Sequence, residues 1–239
     1  MVIFISSAGD TPPPPPVTSD GVLFDGNDYF LKASGLTGET ATDALSYVHF
    51  FLTGSDGVLF QSGITGNSQA GIDFSVSGGK FRYELRRDAG ALLTGASNDT
   101  ISTGAYKCVM FSRSNSAVKL YNGDTSLART DSVANTSGNI PVTDGTIGLM
   151  ANRVGSSRFS GQSGFMVLLR GVAIDFDVEA NRRIFFNSNG TPTSAATVLA
   201  QSPILFMQGN KDAWPSNQGS GGSFTQYGLL DNGTTPILV

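Results

Sequence analysis

The chain has one cysteine, one histidine and one tryptophan in 239 residues. The lone thiol, Cys108, excludes an intramolecular disulfide framework. It stands mid-strand beside Val109 and Met110 and reads as a small buried hydrophobe. The lone histidine, His49, is the only imidazole a zinc site or a Ser-His-Asp triad could use, and no motif surrounds it. It shares a strand face with Leu45, Tyr47 and Phe51, the place of a satisfied core residue. Charge is scarce too, at 14% of residues, against roughly 25% in an average soluble domain. There is no basic run, and the net charge of −4 with a pI near 4.9 argues against a nucleic-acid footprint. No window approaches the about 18 apolar residues of a membrane-spanning helix, so no membrane insertion is expected. The opening MVIFISSAGD has no positive n-region and only four consecutive apolar residues after Met1, too short for the h-region of a signal peptide. Synthesis in a cytoplasm, with export only by lysis, is the expectation. Gly219-Ser220-Gly221-Gly222 lacks the lysine of a phosphate-binding loop.

What is present is glycine, at 30 residues, and short apolar stretches parted by turns. Val22-Leu23-Phe24 meets Asp25-Gly26-Asn27-Asp28, and Tyr29-Phe30-Leu31 follows. Residues 44–52, ALSYVHFFL, are apolar on both faces, which predicts a central strand covered on each side. Ile72, Phe74 and Val76 share one face. After Ser77-Gly78-Gly79, Phe81, Tyr83 and Leu85 return on one face, while Lys80, Arg82, Glu84 and Arg86 point away. That pattern predicts a half-exposed antiparallel hairpin. Residues 105–124, AYKCVMFSRSNSAVKLYNGD, predict another, turning at Ser114-Asn115-Ser116. One helix is expected over 178–186, capped by Asp175 or Asp177 and ended by Asn189-Gly190. Many short strands with frequent turns make an all-β sandwich.

Five segments resemble the laminin-G-like, concanavalin-A-like jelly rolls in the family's own order. They are DGVLFDGNDYFLKASGLTG (20–38), residues 44–52, the hairpin 105–124, GTIGLM (145–150) and FSGQSGFMVLLRGVAIDFDVEANRRIFF (159–186). The resemblance implies an antiparallel two-sheet jelly-roll sandwich over 20–190 with one short C-terminal helix. Residues 1–19 remain as a docking arm with a polyproline spacer, Pro12 to Pro16, about 15 Å long at ~3.1 Å per residue. Residues 191–239 remain as a Gly-rich C-terminal appendage. Its stretch 203–230, with a lone tryptophan before asparagine-x-gly-x-gly-gly-x-phe, resembles segments behind such domains in bacteriophage structural proteins.

That resemblance implies a non-catalytic bacteriophage virion protein, a decoration or fibre component of head or tail that touches host-surface glycans. The alternatives are a bacterial carbohydrate-binding module or adhesin, and a polysaccharide-degrading enzyme. Enzymes on this sandwich set carboxylates at i, i+2 and i+4 of one strand. Of Glu39, Glu84 and Glu179, only Glu179 has such neighbours, Asp175 and Asp177, and those suit a helix start. Glu84, between Arg82 and Arg86, suits an ion-pair ladder. No catalytic residue is assigned. The glycan-binding candidates are Trp214 with Asn217 and Gln218, then Tyr121 with Asn122, because sugars need aromatics beside amides. The family also implies a calcium candidate at Asp25, Asn27 and Asp28, or at Asn122 and Asp124; both are also ordinary turn sequences. Residues 1–16 are expected to dock on other virion proteins. Sparse surface charge, the two-faced strand and the aromatics Phe206, Trp214, Phe224 and Tyr227 point to a homo-oligomer, with a trimer favoured.

Overall fold

The computed structural model describes residues 21–64, 67–87, 90–101, 104, 106–140 and 145–233. The expected docking arm, residues 1–19, lies outside the described residues. Numbered along the chain, one sheet holds β1 (Val22–Asp25), β3 (Leu45–Thr53), β8 (Lys107–Arg113), β9 (Val118–Asn122), β10 (Thr125–Ser126), β13 (Ser160–Arg170), β14 (Leu205–Gln208) and β16 (Asp231–Asn232). The other holds β2 (Tyr29–Lys32), β4 (Gly57–Ile64), β5 (Asn67–Ser77), β6 (Lys80–Arg87), β7 (Gly90–Ser97), β11 (Arg129–Val133), β12 (Ile147–Leu149) and β15 (Thr225–Tyr227). Neighbouring strands in both sheets are antiparallel, and the fold is the all-β sandwich that the alternation predicts and the two-sheet jelly roll that the resemblance implies.

The first sheet runs β10-β9-β8-β3-β13-β1-β16. β13 is long enough to take β3 along one edge and both β1 and β14 along the other. The second runs β11-β7-β6-β5-β4-β12-β2-β15. Between them, period-two alternation packs Tyr47 and Phe51 of β3 with Phe60, Phe74, Phe81, Tyr83 and Phe111. The Tyr47 and Phe74 rings stack at 4.3 Å. Full burial of each such ring contributes roughly 1.5–3 kcal/mol.

The outer face of the first sheet is buried as well. Val48, Phe50, Met110, Tyr121, Phe165, Val167 and Leu169 pack against Ile174, Phe176, Phe185, Phe186 and Val198. Residues 171–200 therefore form a cover. Two strand serines fasten it: Ser46 Oγ accepts from Ile174 N at 2.8 Å and donates to Val172 O at 2.9 Å, and Ser112 Oγ donates to Ile174 O at 2.7 Å.

Three expectations change here. The helix over 178–186 shrinks to α1, Glu179–Arg182, with no side-chain cap at Val178. Asp177 is engaged elsewhere, accepting from the Tyr121 hydroxyl at 2.7 Å and from the Lys119 ammonium, while Asp175 Oδ1 accepts from Asp177 N at 3.1 Å. Phe185 and Phe186 sink into the outer layer instead of extending the helix. A second helix, α2 (Ala195–Leu199), is capped by Ser194 Oγ, which accepts from Thr197 N at 3.3 Å.

The segment 191–239 supplies β14, β15 and β16 to the two sheets. Trp214 is fully buried, 5.4 Å from Phe24 and 5.8 Å from Phe30 between ring centroids. The glycine pattern has a packing reason: a Cβ on Gly221 would meet Ile204 O at 2.5 Å, and one on Gly219 would meet Pro203 O at 2.7 Å. The signature behind the virion reading thus closes the sandwich. Two of the three features that suggested an oligomer, the two-faced strand and the tail aromatics, are covered within the chain; the sparse surface charge remains. Both faces of β3 are buried, and of the four tail aromatics only Tyr227, 42% exposed, reaches solvent. Among the described residues no helix is long and apolar enough to cross a membrane.

Candidate functional site

Where the cover meets the far edge of the first sheet it leaves a cleft of about 450 Å³, lined by residues from β3, β8, the β9–β10 turn and the loop after α1. That size falls within the roughly 300–1,000 Å³ of small-molecule sites. Its apolar floor is Phe50, Cys108 and Phe186, with Tyr106 as a half-exposed wall. Tyr106, Phe50 and Phe165 stack in turn across three adjacent strands, at 5.9 Å and 5.8 Å between centroids. Burial pushes the Cys108 thiol far above its ordinary pKa and keeps it neutral.

One rim is the β9–β10 turn, Asn122, Gly123 and Asp124. Gly123 holds φ at +58°, a conformation that favours glycine and lets the ladder reverse in two residues. The other rim is Ser188, Asn189, Gly190 and Thr191. This loop closes on itself: Asn187 N donates to Thr191 O at 2.7 Å, and Asn189 Oδ1 accepts from Thr191 N and Thr191 Oγ1 at 3.0 and 2.7 Å. The Nδ2 amide of Asn189 is left as that side chain's donor. Asn122 has no side-chain hydrogen bond among the described residues.

α1 fixes Asp124. Arg182 Nε and Arg183 Nη1 donate to its Oδ1 at 3.0 and 2.9 Å, and Arg183 Nη2 donates to Oδ2 at 2.9 Å. Hydrogen bonds from Arg183, then Arg182, hold this carboxyl below its ordinary range. Arg182 is itself clamped, its guanidinium 5.1 Å from the Tyr121 ring centroid and donating to Phe176 O at 2.6 Å.

Of the glycan candidates read from the sequence, only Asn122 lines this cleft. Tyr121 is 7% exposed and its hydroxyl is spent on Asp177. Trp214 lies in the inter-sheet core, so it offers no face to a sugar. Asn217 ties its own loop together, accepting from Phe206 N at 2.8 Å and donating to Ile204 O and Gly222 O at 3.1 Å. Gln218 accepts from Gln208 Nε2 at 3.2 Å. The lone tryptophan was the loudest aromatic signal, but a large ring is as valuable to a core as to a surface.

The calcium candidates do not fit a hard cation. Asp25 Oδ1 accepts from Asn27 N at 2.6 Å and Oδ2 from Asn27 Nδ2 at 3.2 Å, while Asp28 Oδ2 accepts from Asp25 N at 3.3 Å. These bonds within the turn direct the oxygens onto N–H groups. Asp28 is 2% exposed, and burial raises its carboxyl above the ordinary range. At Asn122 and Asp124 two guanidiniums stand where a cation would. No group of three metal-ligating His, Cys, Asp or Glu side chains occurs among the described residues.

His49 is the satisfied core histidine that its strand face predicts. Tyr47 Oη lies 3.0 Å from Nδ1 and Ser163 Oγ 2.7 Å from Nε2, and burial lowers its pKa to about 3. Reading carboxylates along single strands missed one pair. Asp73 of β5 stands opposite Glu84 of β6. Gln61 Nε2 donates to Asp73 Oδ2 at 2.5 Å, Arg86 Nη1 donates to Glu84 Oε1 at 2.7 Å, and burial holds the Asp73 carboxyl above its ordinary range. Of the cleft residues besides Asn122, the sequence singles out only Asp124 as a site candidate, and for calcium rather than as a sugar contact. Asn189-Gly190 signalled a chain reversal, which is the signal a helix stop and a rim loop share.

No protein-family model and no curated protein sequence matches the chain. Solved structures share its fold. A SAP-like pentraxin from Limulus polyphemus, a heptamer, superposes with a TM-score of 0.59 at 14% identity, covering 91% of this chain and 96% of that one. A Bacteroides ovatus protein provisionally described as carbohydrate binding gives 0.61 at 12% identity, covering 92% of this chain and 61% of that one. Domains LG4-5 of the mouse laminin alpha1 chain give 0.51 at 19% identity, covering 67% of this chain and 44% of theirs. At these identities the likeness establishes the jelly-roll sandwich.

Proposed function

We propose that the protein is a non-catalytic glycan-binding domain and that the cleft between the β9–β10 turn and the 188–191 loop is its sugar site. The observation that carries this reading is the cleft's lining: aromatic rings beside two amides, two hydroxyls and one oriented carboxylate. A pyranose presents an apolar C–H face and a rim of hydroxyls. The first packs on rings such as Tyr106, and the second needs fixed donors and acceptors such as Asn122, Asn189 and Asp124. The Bacteroides ovatus neighbour on the same fold, provisionally described as carbohydrate binding, supports the class. Binding rather than hydrolysis is favoured because the lining has one carboxylate, where glycoside hydrolysis uses two.

Binding of the purified protein to a glycan array, followed by calorimetry on the hits, tests the proposal. Tyr106→Ala and Asn189→Ala are each expected to weaken the best ligand about tenfold or more, roughly the loss of one good contact. Retained affinity in both variants would move the site elsewhere. Reducing-end release from a bound glycan that is lost in Asp73→Asn would instead revive the enzyme reading at the β5–β6 pair.

A further inference from the structure

We infer that the cleft selects neutral sugars over carboxylated ones, and that Asp124 is the residue that selects. This rests on the glycan reading above and narrows it to a ligand class.

The first observation is the charge of the lining. Among its residues only Asp124 is ionisable at neutral pH, and it is an anion. The cations nearby are spent and do not line the cleft. Arg182 and Arg183 both bind Asp124, Arg183 also binds Glu179 at 2.6 Å, and Lys119 binds Asp177. A sugar carboxylate entering the cleft would find no lining cation and one carboxylate.

The second observation is the acceptor count of that carboxylate. An ionised carboxylate offers about four lone-pair sites and no donor. Oδ1 already accepts two hydrogen bonds and Oδ2 one, all between 2.9 and 3.0 Å. One acceptor site is left, on Oδ2, and the side chain is 45% exposed. The carboxylate cannot rotate to present another, because the Arg183 fork holds both oxygens in one plane. A fixed lone pair of this kind accepts one hydroxyl and repels an anion. Asn122, Asn189, Ser188 and Thr191 are neutral and can serve either kind of sugar, so they do not decide the matter.

The test uses the whole protein and matched oligosaccharide pairs, each neutral glycan beside its uronate- or sialic-acid-bearing counterpart. Wild type is expected to bind the neutral member of each pair at least tenfold more tightly. Asp124→Asn keeps the shape of the side chain but removes the charge and adds a donor, and should narrow the preference to about threefold or less. Melting curves check that this variant folds. If it does not, Arg183→Gln decides: it loosens the carboxylate but leaves its charge, so neutral sugars should bind more weakly while the acidic ones stay excluded. Equal or tighter binding of the acidic members by wild type overturns the inference and leaves the glycan reading standing. So does a folded Asp124→Asn protein that discriminates as wild type does. Failure of every neutral and acidic member to bind removes the glycan reading, and the selectivity with it.

Discussion

Strand β3 shows two unlike faces to the rest of the chain. Its inner face, Leu45, Tyr47 and Phe51, meets rings from the opposite sheet and is sealed. Its outer face, Val48 and Phe50, meets a cover made of loops and two short helices. The inner layer is built from residues whose alternation commits them to it. The outer layer is held by point fastenings: two serines, a few phenylalanines, and the arginines at the end of α1, Arg182 and its cap Arg183. A cover held by fastenings can stop short, and it stops at Phe50 and Tyr106. The cleft is the place where the second layer ends, and its polar rims are the two turns that border the gap.

The largest expected effect tests the inner layer. Trp214→Ala should cost about 3–5 kcal/mol in denaturant unfolding, as for other buried large-to-small changes. Were the C-terminal segment a separate appendage, the cost would be near zero. Acid should probe the same layer next. His49 is neutral in the folded protein, with its pKa lowered to about 3 by burial, whereas in the unfolded chain it titrates near 6.5. Its folded pKa is depressed, so the unfolded state binds the extra proton as pH falls below about 6.5, and stability declines by up to roughly 1.4 kcal/mol per pH unit. Asp28 and Asp73, whose carboxyls are raised, oppose this slope near the acid end of the window. The cleanest readout is therefore the difference between wild type and His49→Gln from pH 7 to 5. An identical slope in the two proteins would show that the imidazole charges without unfolding.

The cover should be easier to loosen. Ser46→Ala leaves Ile174 N without its side-chain acceptor, and a buried unpaired donor costs about 1–3 kcal/mol. The loss should appear as faster amide exchange across 171–176 while the inner strands stay protected. The smallest stability change belongs to the cleft wall. Tyr106→Ala should alter unfolding by less than about 1 kcal/mol while removing glycan affinity. If Tyr106→Ala destabilised the fold as much as Trp214→Ala, the contrast between a sealed layer and an open one would fail.

The same contrast explains what the sequence disclosed. Strict alternation announced the β5–β6 and β8–β9 hairpins, and the apolar run announced β3 as covered on both sides. β7, GALLTGAS, and the polar β11, RTDSV, carry weak strand signals and are held by register with β6 and with each other. The cleft was almost invisible. Strand register brings Phe50, Tyr106, Asn122 and Asp124 to one sheet edge, but only the cover adds Phe186 and Asn189, and no spacing rule links the two sets. Asp124 read as a turn residue and, with Asn122, as a calcium candidate. Nothing local says that Arg182 of α1 and Arg183 at its C-terminal cap will reach it.

The strand pairing also sets a timetable. β1 lies between β13 and β16, and β2 between β12 and β15, while Gly233 N donates to Gly21 O at 2.7 Å. During synthesis the first two strands therefore emerge long before any neighbour exists for them. The earliest partners to meet are β4 to β7, each beside its successor in the chain. A nascent chain would raise this meander first, carry β1 and β2 unpaired until β12 and β13 arrive, and leave one edge of each open until residues 225–232 follow. Loop closure over such separations slows folding, and the waiting edges make the unfinished chain a natural client for chaperones.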